Sequence, residues 1–265
     1  MRIAHLSDLH ITQLPPDPRG FFDRRLSGAL NLRLLGRGER YREAAARGRH
    51  AVSQIVAQKP DAVVFGGDAT SLSEPWEFAH AAEVLAPLLD LNVPCFALAG
   101  NHDRYTDQAQ QEQRFEEAFS AWRLIEPGWH EIDIAGEAIT FVDTARANAM
   151  IWDSRGRLIE PPARVPKIVF AHYAIITHQA EPDRKWHALR GADALRVALR
   201  DGPGTTWCCG HLHRSFSARA GGLIQFCAGS VGGPLGAWQM IEISDGMIRR
   251  RSWTHEGEGK LSKLR

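Results

Sequence analysis

Five short apolar runs, each cut off by glycine, aspartate or histidine, constrain this chain more than any other feature. They are Arg2–Ser7, Ala62–Phe65, Cys95–Ala99, Ile168–Ala171 and Thr205–Cys209. Brief β-branched runs without polar alternation read as strands covered on both faces. Helical spacing fills the gaps between them, over Glu39–Gln58, Glu74–Asp90, Gln108–Trp122 and Ala192–Arg200. Ser73 is the expected cap of the second of these, with Pro75 in its first turn, where the missing N–H is harmless. Hairpin patterns follow: Ile132–Ile134 with Ala138–Asp143 around Gly136, Ser215–Ala220 with Leu223–Ala228, and Gln239–Ile243 with Met247–Trp253. Strand–helix alternation followed by hairpins predicts an α/β architecture on a large mixed sheet system. No internal repeat, low-complexity tract or long Pro/Gly/Ser linker divides the 265 residues, so a single domain over 1–265 is expected.

Every one of the five runs ends in residue types that bind metals. The blocks are Asp8-Leu9-His10, Gly66-Gly67-Asp68, Gly100-Asn101-His102-Asp103, His172 and Gly210-His211-Leu212-His213. In open α/β sheets, ligands gather outside the carboxyl ends of the strands, so these loops should converge. If the backbone stays extended, residues two apart share a face, which pairs Asp8 with His10 and His211 with His213. A lone D-x-H, or one histidine at a strand end, is noise; a polar cap explains either. Capping does not explain why Asp, His and Asn recur at five successive strand ends. Carboxylate, amide and imidazole donors without thiolate suit Mn, Fe or Zn better than Mg or Ca.

Taken together, the blocks resemble the calcineurin-like metallophosphoesterases, whose pattern D-x-H, G-D, G-N-H-(D/E), H, G-H-x-H stands here over residues 8–213. The resemblance implies a four-layer α/β/β/α sandwich with two mixed β-sheets and two divalent metal ions, Mn first, Fe or Zn as alternatives. Carried over by position, Asp8, His10, Asp68 and His213 hold one ion. Asp68, bridging, with Asn101, His172 and His211 holds the other. His102 sits beside the phosphate as general acid, oriented by Asp103. The implied activity is hydrolysis of a phosphodiester or pyrophosphate bond by a hydroxide held between the ions, with no phosphoenzyme. Two blocks depart from common variants. Gly67-Asp68-Ala69-Thr70 lacks the further acidic residue of some members, and Ala171-His172-Tyr173 stands where many relatives have His-His-Pro. Neither removes a ligand; both blur the subfamily.

Residues 19–50 stand apart. Nine arginines against Asp23, Glu39 and Glu43 give this stretch +6, while the whole chain is only +1. Phe22, Leu26, Ala29 and Leu30 would line one helix face, interrupted by Arg33. The plain reading is a helix packed on a sheet with a solvated arginine face. The sharper one is a basic, apolar lid for a membrane surface or an acyl-chain substrate. With Thr70 and Glu77-Phe78, the insert looks like the calcineurin-like enzymes that cleave UDP-2,3-diacylglucosamine in lipid A synthesis. Phe22, Arg25, Leu26 and Arg104 are the candidate substrate contacts, and His178 and His187 could reach the site mouth. A 3',5'-cyclic nucleotide phosphodiesterase is the alternative enzyme. A catalytically silent protein-binding scaffold is the alternative from another class, and it would show lost ligands. No nucleic-acid partner is expected, because the basic residues form no broad face. Four cysteines, no apolar run near the ~20 residues a spanning helix needs, and no signal-peptide anatomy predict a cytoplasmic protein, peripheral on the inner membrane face if the lid reading holds.

Overall fold

A computed structural model describes residues 1–12, 24–145, 156–158, 164, 166–185 and 187–259. The apolar runs become β1 (Arg2–Leu6), then, after α1 (Arg24–Leu34), α2 (Arg37–Tyr41) and α3 (Ala44–Gln58), β2 (Ala62–Phe65). Next come α4 (Pro75–Leu85), continued by a 3₁₀ turn over Ala86–Leu91, β3 (Cys95–Ala97), α5 (Asp107–Gln111) and α6 (Arg114–Ala118). The short β4 (Arg123–Leu124) leads to the hairpin β5 (Gly128–Ile134) and β6 (Glu137–Asp143), and then to β7 (Ile168–Ala171). The chain closes with α7 (Ala192–Asp201), β8 (Thr205–Cys209), β9 (Phe216–Ala220), β10 (Leu223–Cys227), β11 (Trp238–Ser244), β12 (Met247–Thr254) and β13 (Gly257–Glu258).

Among the described residues the strands form two mixed sheets, in the orders β13-β12-β11-β1-β2-β3-β4 and β5-β6-β7-β8-β10-β9. β1 to β4 run parallel, as do β6, β7, β8 and β10, while the hairpin partners are antiparallel. The sheets face each other through Ile3, Val64, Phe96, Phe141, Phe170 and Ile241, all buried. On the outer face of the first sheet, α3 and α4 bury Ala51, Ile55, Phe78 and Leu85; on that of the second, α7 buries Leu195 and Leu199. The result is the helix–sheet–sheet–helix sandwich, with the five ligand blocks at the carboxyl ends of parallel strands.

Three local expectations are corrected. The helix expected over Glu39–Gln58 is two helices, α2 and α3, and Tyr41 at the end of α2 is buried against the site. Over Gln108–Trp122 the chain breaks at Gln113, which is left-handed at φ 50, so that Arg114 turns inward and donates to the Ser73 carbonyl at 2.8 Å. The cap of α4 is Glu74, in a reciprocal box with Glu77, and not Ser73. Ser73 is itself left-handed, and its hydroxyl donates to the His102 carbonyl and accepts from the Tyr105 N–H. Pro75 does stand in the first turn.

Candidate metal centre

The strands deliver their blocks by a different backbone from the extended one the sequence implies. β1 stops at Leu6, and Asp8 and His10 then adopt φ of 60 and 51. Asp68 (φ 57), His211 (φ 67) and His213 (φ 53) do the same. Left-handed non-glycine residues each cost roughly 1–2 kcal/mol, so five in one cluster need strong anchors. Those anchors cross between the blocks: Asp8 N–H donates to Gly67 O at 2.8 Å, His10 N–H to Asp68 O at 3.0 Å, and His211 N–H to Asp8 Oδ2 at 3.0 Å. Alternate residues still converge, through paired left-handed turns. Glycine is required where the loops touch. A Cβ at Gly210 would run into the side chains of Ser7 and Asp8, and one at Gly100 into the Asp68 carboxylate.

Among the described residues three overlapping groups of donors result; Asp183, His187 and His211 form one, and the other two are built from the expected ligands. One donor atom from each of Asp8, His10, Asp68 and His213 lies within 4.8 Å of the others, and the same holds for Asp68, His172 and His211. Asn101 joins the second group, its Oδ1 at 3.2 Å from His172 Nε2. The histidines are oriented from behind. His10 Nδ1 donates to Thr70 O (3.1 Å), His172 Nδ1 to Gly66 O (2.8 Å) and His211 Nε2 to the His187 carbonyl (3.0 Å), while His213 Nδ1 meets the Tyr41 hydroxyl at 3.0 Å. A carbonyl can only accept, so each of the first three rings carries a proton on the outer nitrogen; the inner nitrogen of the neutral His10 and His211 is then a lone pair, and that of His172 becomes one when a cation displaces its second proton. His10 Nε2 and His213 Nε2 face each other at 2.9 Å.

The electrostatics agree with cation binding. Burial would raise the Asp8 carboxyl, yet the imidazoles of His10 and His213 and the charge at His172 hold it well below the carboxylate range. Asp68 is likewise held down against its burial, chiefly by His172 and His102. Burial lowers His10 to about 4 and pushes His211 far below the ordinary imidazole value. His172 goes the other way, to about 10, because the Asp68 carboxylate outweighs burial. Asp68 Oδ2 is buried and receives no hydrogen bond, although it lies 3.6 Å from His10 Nε2 and 3.4 Å from His172 Nε2. An orphan carboxylate oxygen shared between two clusters of imidazoles fits a pair of cations held on either side of Asp68. Hard and borderline donors without sulfur fit first-row divalent ions.

The other sequence-derived site residues fall into place unevenly. His102 lies against the cluster, its ring 5.0 Å from that of His10 and stacked on Tyr105. Its Nδ1 donates to Ser71 O at 2.8 Å, so Asp103 does not orient it, and that expectation is corrected. The Asp103 carboxylate instead accepts four backbone N–H groups, from Asp68 (2.7 Å), Ala69 (2.8 Å), Gly100 (2.9 Å) and Thr70 (3.3 Å). It ties the second block to the third. Arg104 is corrected as a substrate contact too: it is buried, with Glu116 Oε1 at 2.7 Å and Asp143 Oδ2 at 3.4 Å. Arg25 is engaged by Glu74 at 2.8 Å. Leu26 is exposed, and Phe22 lies outside the described residues. His187 stacks on His211 at 3.9 Å, whereas His178 pairs with Arg214. Sequence reasoning missed Arg37, Tyr41 and Ser230, whose hydroxyl donates to Asp8 O at 2.6 Å. The one available signal was the four-residue spacing of Arg37 and Tyr41, which puts both on one helix face.

The chain is similar to known proteins. The phosphodiesterase YaeI of Escherichia coli (strain K12) is 25% identical over 222 residues, spanning 81% of this chain and 69% of that one. A dimetal phosphatase from Danio rerio superposes with a TM-score of 0.61 at 14% identity, over 97% of this chain and 96% of the other. A protein of Thermus thermophilus does so with 0.50 at 10% identity, over 94% and 97%. These two likenesses carry the fold. The family model of calcineurin-like phosphoesterases matches residues 1–215, which hold all five ligand blocks. With its sandwich of two mixed sheets and its Asp/His cluster at their carboxyl ends, the chain belongs to the calcineurin-like phosphoesterase family and is a metal-dependent phosphoester hydrolase.

Proposed function

We propose that the enzyme hydrolyses a phosphodiester or pyrophosphate bond in an anionic amphiphile of the UDP-2,3-diacylglucosamine class, using two manganese ions. The ligands would be Asp8, His10, Asp68 and His213 for one ion, and Asp68, Asn101, His172 and His211 for the other. When bound, the ions supply Lewis-acid activation of the phosphoryl group and of the attacking water. The chain's own residues supply the rest. His102, held by Ser71 and Tyr105, would protonate a departing alkoxide once its Nε2, which accepts from Arg37 in the structure, has taken up a proton, and Asp103 fixes the loops that carry Asp68 and His102.

The observation that carries the lipid half of the reading is the outer face of α1. Leu26, Leu30 and Leu34 recur every four residues and are 46%, 50% and 74% exposed, with Leu35 beyond them at 77%. The expected face of Leu26, Ala29 and Leu30 is therefore split. Ala29 and Leu32 turn inward against Leu72 and Tyr105, and the large leucines face out. A helix has no folding reason to present three large apolar groups in register to water. Arg33 on α1 and Arg40 on α2 are exposed as well, cations of the kind an anionic headgroup surface attracts. Among the described residues no helix is long and apolar enough to cross a membrane, so contact would be peripheral.

The test is Mn-reconstituted enzyme on bis-p-nitrophenyl phosphate, p-nitrophenyl phosphate, cAMP and UDP-2,3-diacylglucosamine, with the variant L26S/L30S/L34S alongside. Exposed positions tolerate such changes within about 0.5 kcal/mol each, so the variant should fold. Each buried acyl methylene is worth ~0.8 kcal/mol, so losing the stripe should raise KM for the diacyl substrate at least tenfold and leave bis-p-nitrophenyl phosphate hydrolysis intact. Binding to anionic vesicles should weaken in the variant and in high salt. Efficient cAMP turnover with no lipid turnover, or an unchanged KM in the folded variant, would overturn the lipid assignment.

A further inference from the structure

From the basic insert, one side chain reaches the metal centre itself. Arg37, the first residue of α2, is half-buried, and its Nη2 lies 3.0 Å from His102 Nε2 and 3.3 Å from His10 Nδ1. Its guanidinium carbon is 5.8 Å from the Tyr41 ring centroid, one turn along the same helix. Among the described residues no carboxylate pairs with it. That sets Arg37 apart from other half-buried or buried arginines near the site. Arg25 faces Glu74, Arg104 faces Glu116 and Asp143, and Arg114 faces Glu112. A half-buried cation whose described polar neighbours are imidazole nitrogens is under-compensated. The imbalance grows when the centre is loaded, because two carboxylates, Asp8 and Asp68, cannot neutralise two divalent ions. A phosphoryl oxygen is the partner whose charge and geometry the planar guanidinium fits.

We propose that Arg37 is a phosphate-binding residue, which exchanges its hydrogen bond to His102 for a non-bridging oxygen of the substrate phosphoryl group. His102 Nε2, which accepts from Arg37 in the structure, is freed by that exchange to face the substrate. Because Arg37 lies two residues beyond Leu35, the same segment that carries the leucine stripe would fix the phosphate. An amphiphile seated on α1 would then present its headgroup to the metal centre. The proposal rests on the phosphoesterase reading of the centre and not on the lipid assignment, and its probes contain no lipid.

The experiment compares R37A, R37Q and R37K with wild type, all Mn-loaded. It measures inhibition by inorganic phosphate, bis-p-nitrophenyl phosphate kinetics, thermal stabilisation by phosphate, and metal content. Loss of one charge-assisted contact should raise the phosphate inhibition constant about 10- to 100-fold in R37A and R37Q, with two metals retained. R37K should recover part of the loss, and ethylguanidinium added to R37A should restore turnover, a rescue that a merely structural role would not allow. If R37A folds poorly, R37Q and R37K decide on the same inhibition constant. A folded, metal-loaded R37A or R37Q with wild-type phosphate affinity overturns the proposal alone. So does loss of metal in all three variants, which would make Arg37 a support for His10. A wild type that neither cleaves the diester nor binds phosphate overturns this proposal and the phosphoesterase reading together.

Discussion

Replacing Asp103 by asparagine separates two roles that a G-N-H-D motif can encode. Were Asp103 the orienting partner of His102, the variant would fold normally and lose proton transfer. The structure assigns it a different burden. Oδ2 accepts the N–H groups of Asp68 and Gly100, and Oδ1 those of Ala69 and Thr70. Asparagine keeps one acceptor oxygen and turns the other into an NH₂ that faces two N–H donors. Whichever way the amide flips, two buried N–H groups lose their acceptor, at about 1–3 kcal/mol each, or ~2–6 kcal/mol in all. For a chain of this size that corresponds to a fall in Tm on the order of 10 °C. Either flip orphans at least one N–H of the Asp68–Thr70 turn that holds the Asp68 carboxylate, so metal affinity should fall as well. The assays are thermal unfolding of chelator-treated and Mn-loaded protein, and a leaving-group series on whatever fraction loads metal. The expected result is a large loss of Tm with an unchanged dependence on leaving-group pKa, since Asp103 does not touch the His102 ring. A wild-type Tm with a steeper leaving-group dependence would refute the reasoning and return Asp103 to the orienting role.

Two further outcomes follow from the same geometry. His102→Ala should retain both metals and lose roughly 10²–10⁴ in kcat on alkyl phosphodiesters, and much less on p-nitrophenyl esters, which need little protonation; equal losses across the series would remove His102 from the general-acid role. Stability of the metal-free protein should peak near pH 6.5. His5, His10, His102 and His211 are all pushed down by burial, to about 3 for His5 and about 4 for His10, so the folded state binds fewer protons than the unfolded one and loses stability as pH falls below 6.5. His172 is raised to about 10 by Asp68 against its burial, so its contribution is complete below 6.5 and is lost as pH rises toward 10. Urea midpoints at pH 4.5, 6.5 and 8.5 measure both limbs, and a flat profile above 6.5 would contradict the His172–Asp68 pairing.

Much of this protein was legible along the chain. The runs Ala62–Phe65, Ile168–Ala171 and Thr205–Cys209 form strands over those same residues, because a short apolar segment between turn formers has few other ways to bury both faces. The metal-binding residue types at strand ends were equally plain, since a donor set is a matter of composition and order. What the linear pattern did not carry is the partner of each polar group. Asp103 follows His102 in sequence, but the left-handed turn at Asp68 brings three N–H groups to its carboxylate and Gly100 adds a fourth, and their sum outweighs one imidazole. Arg104 follows the motif but finds Glu116 and Asp143, whereas Arg37, 65 positions before His102, reaches that ring. The face of α1 was misjudged for a related reason. Helical periodicity groups Leu26, Ala29 and Leu30, but only the seat offered by Leu72 and Tyr105 selects which of them turns inward. Residue type and local spacing determine strands, turns and donor chemistry; contacts between distant segments decide hydrogen-bond partners, protonation and exposed faces, because those depend on which groups share one buried volume.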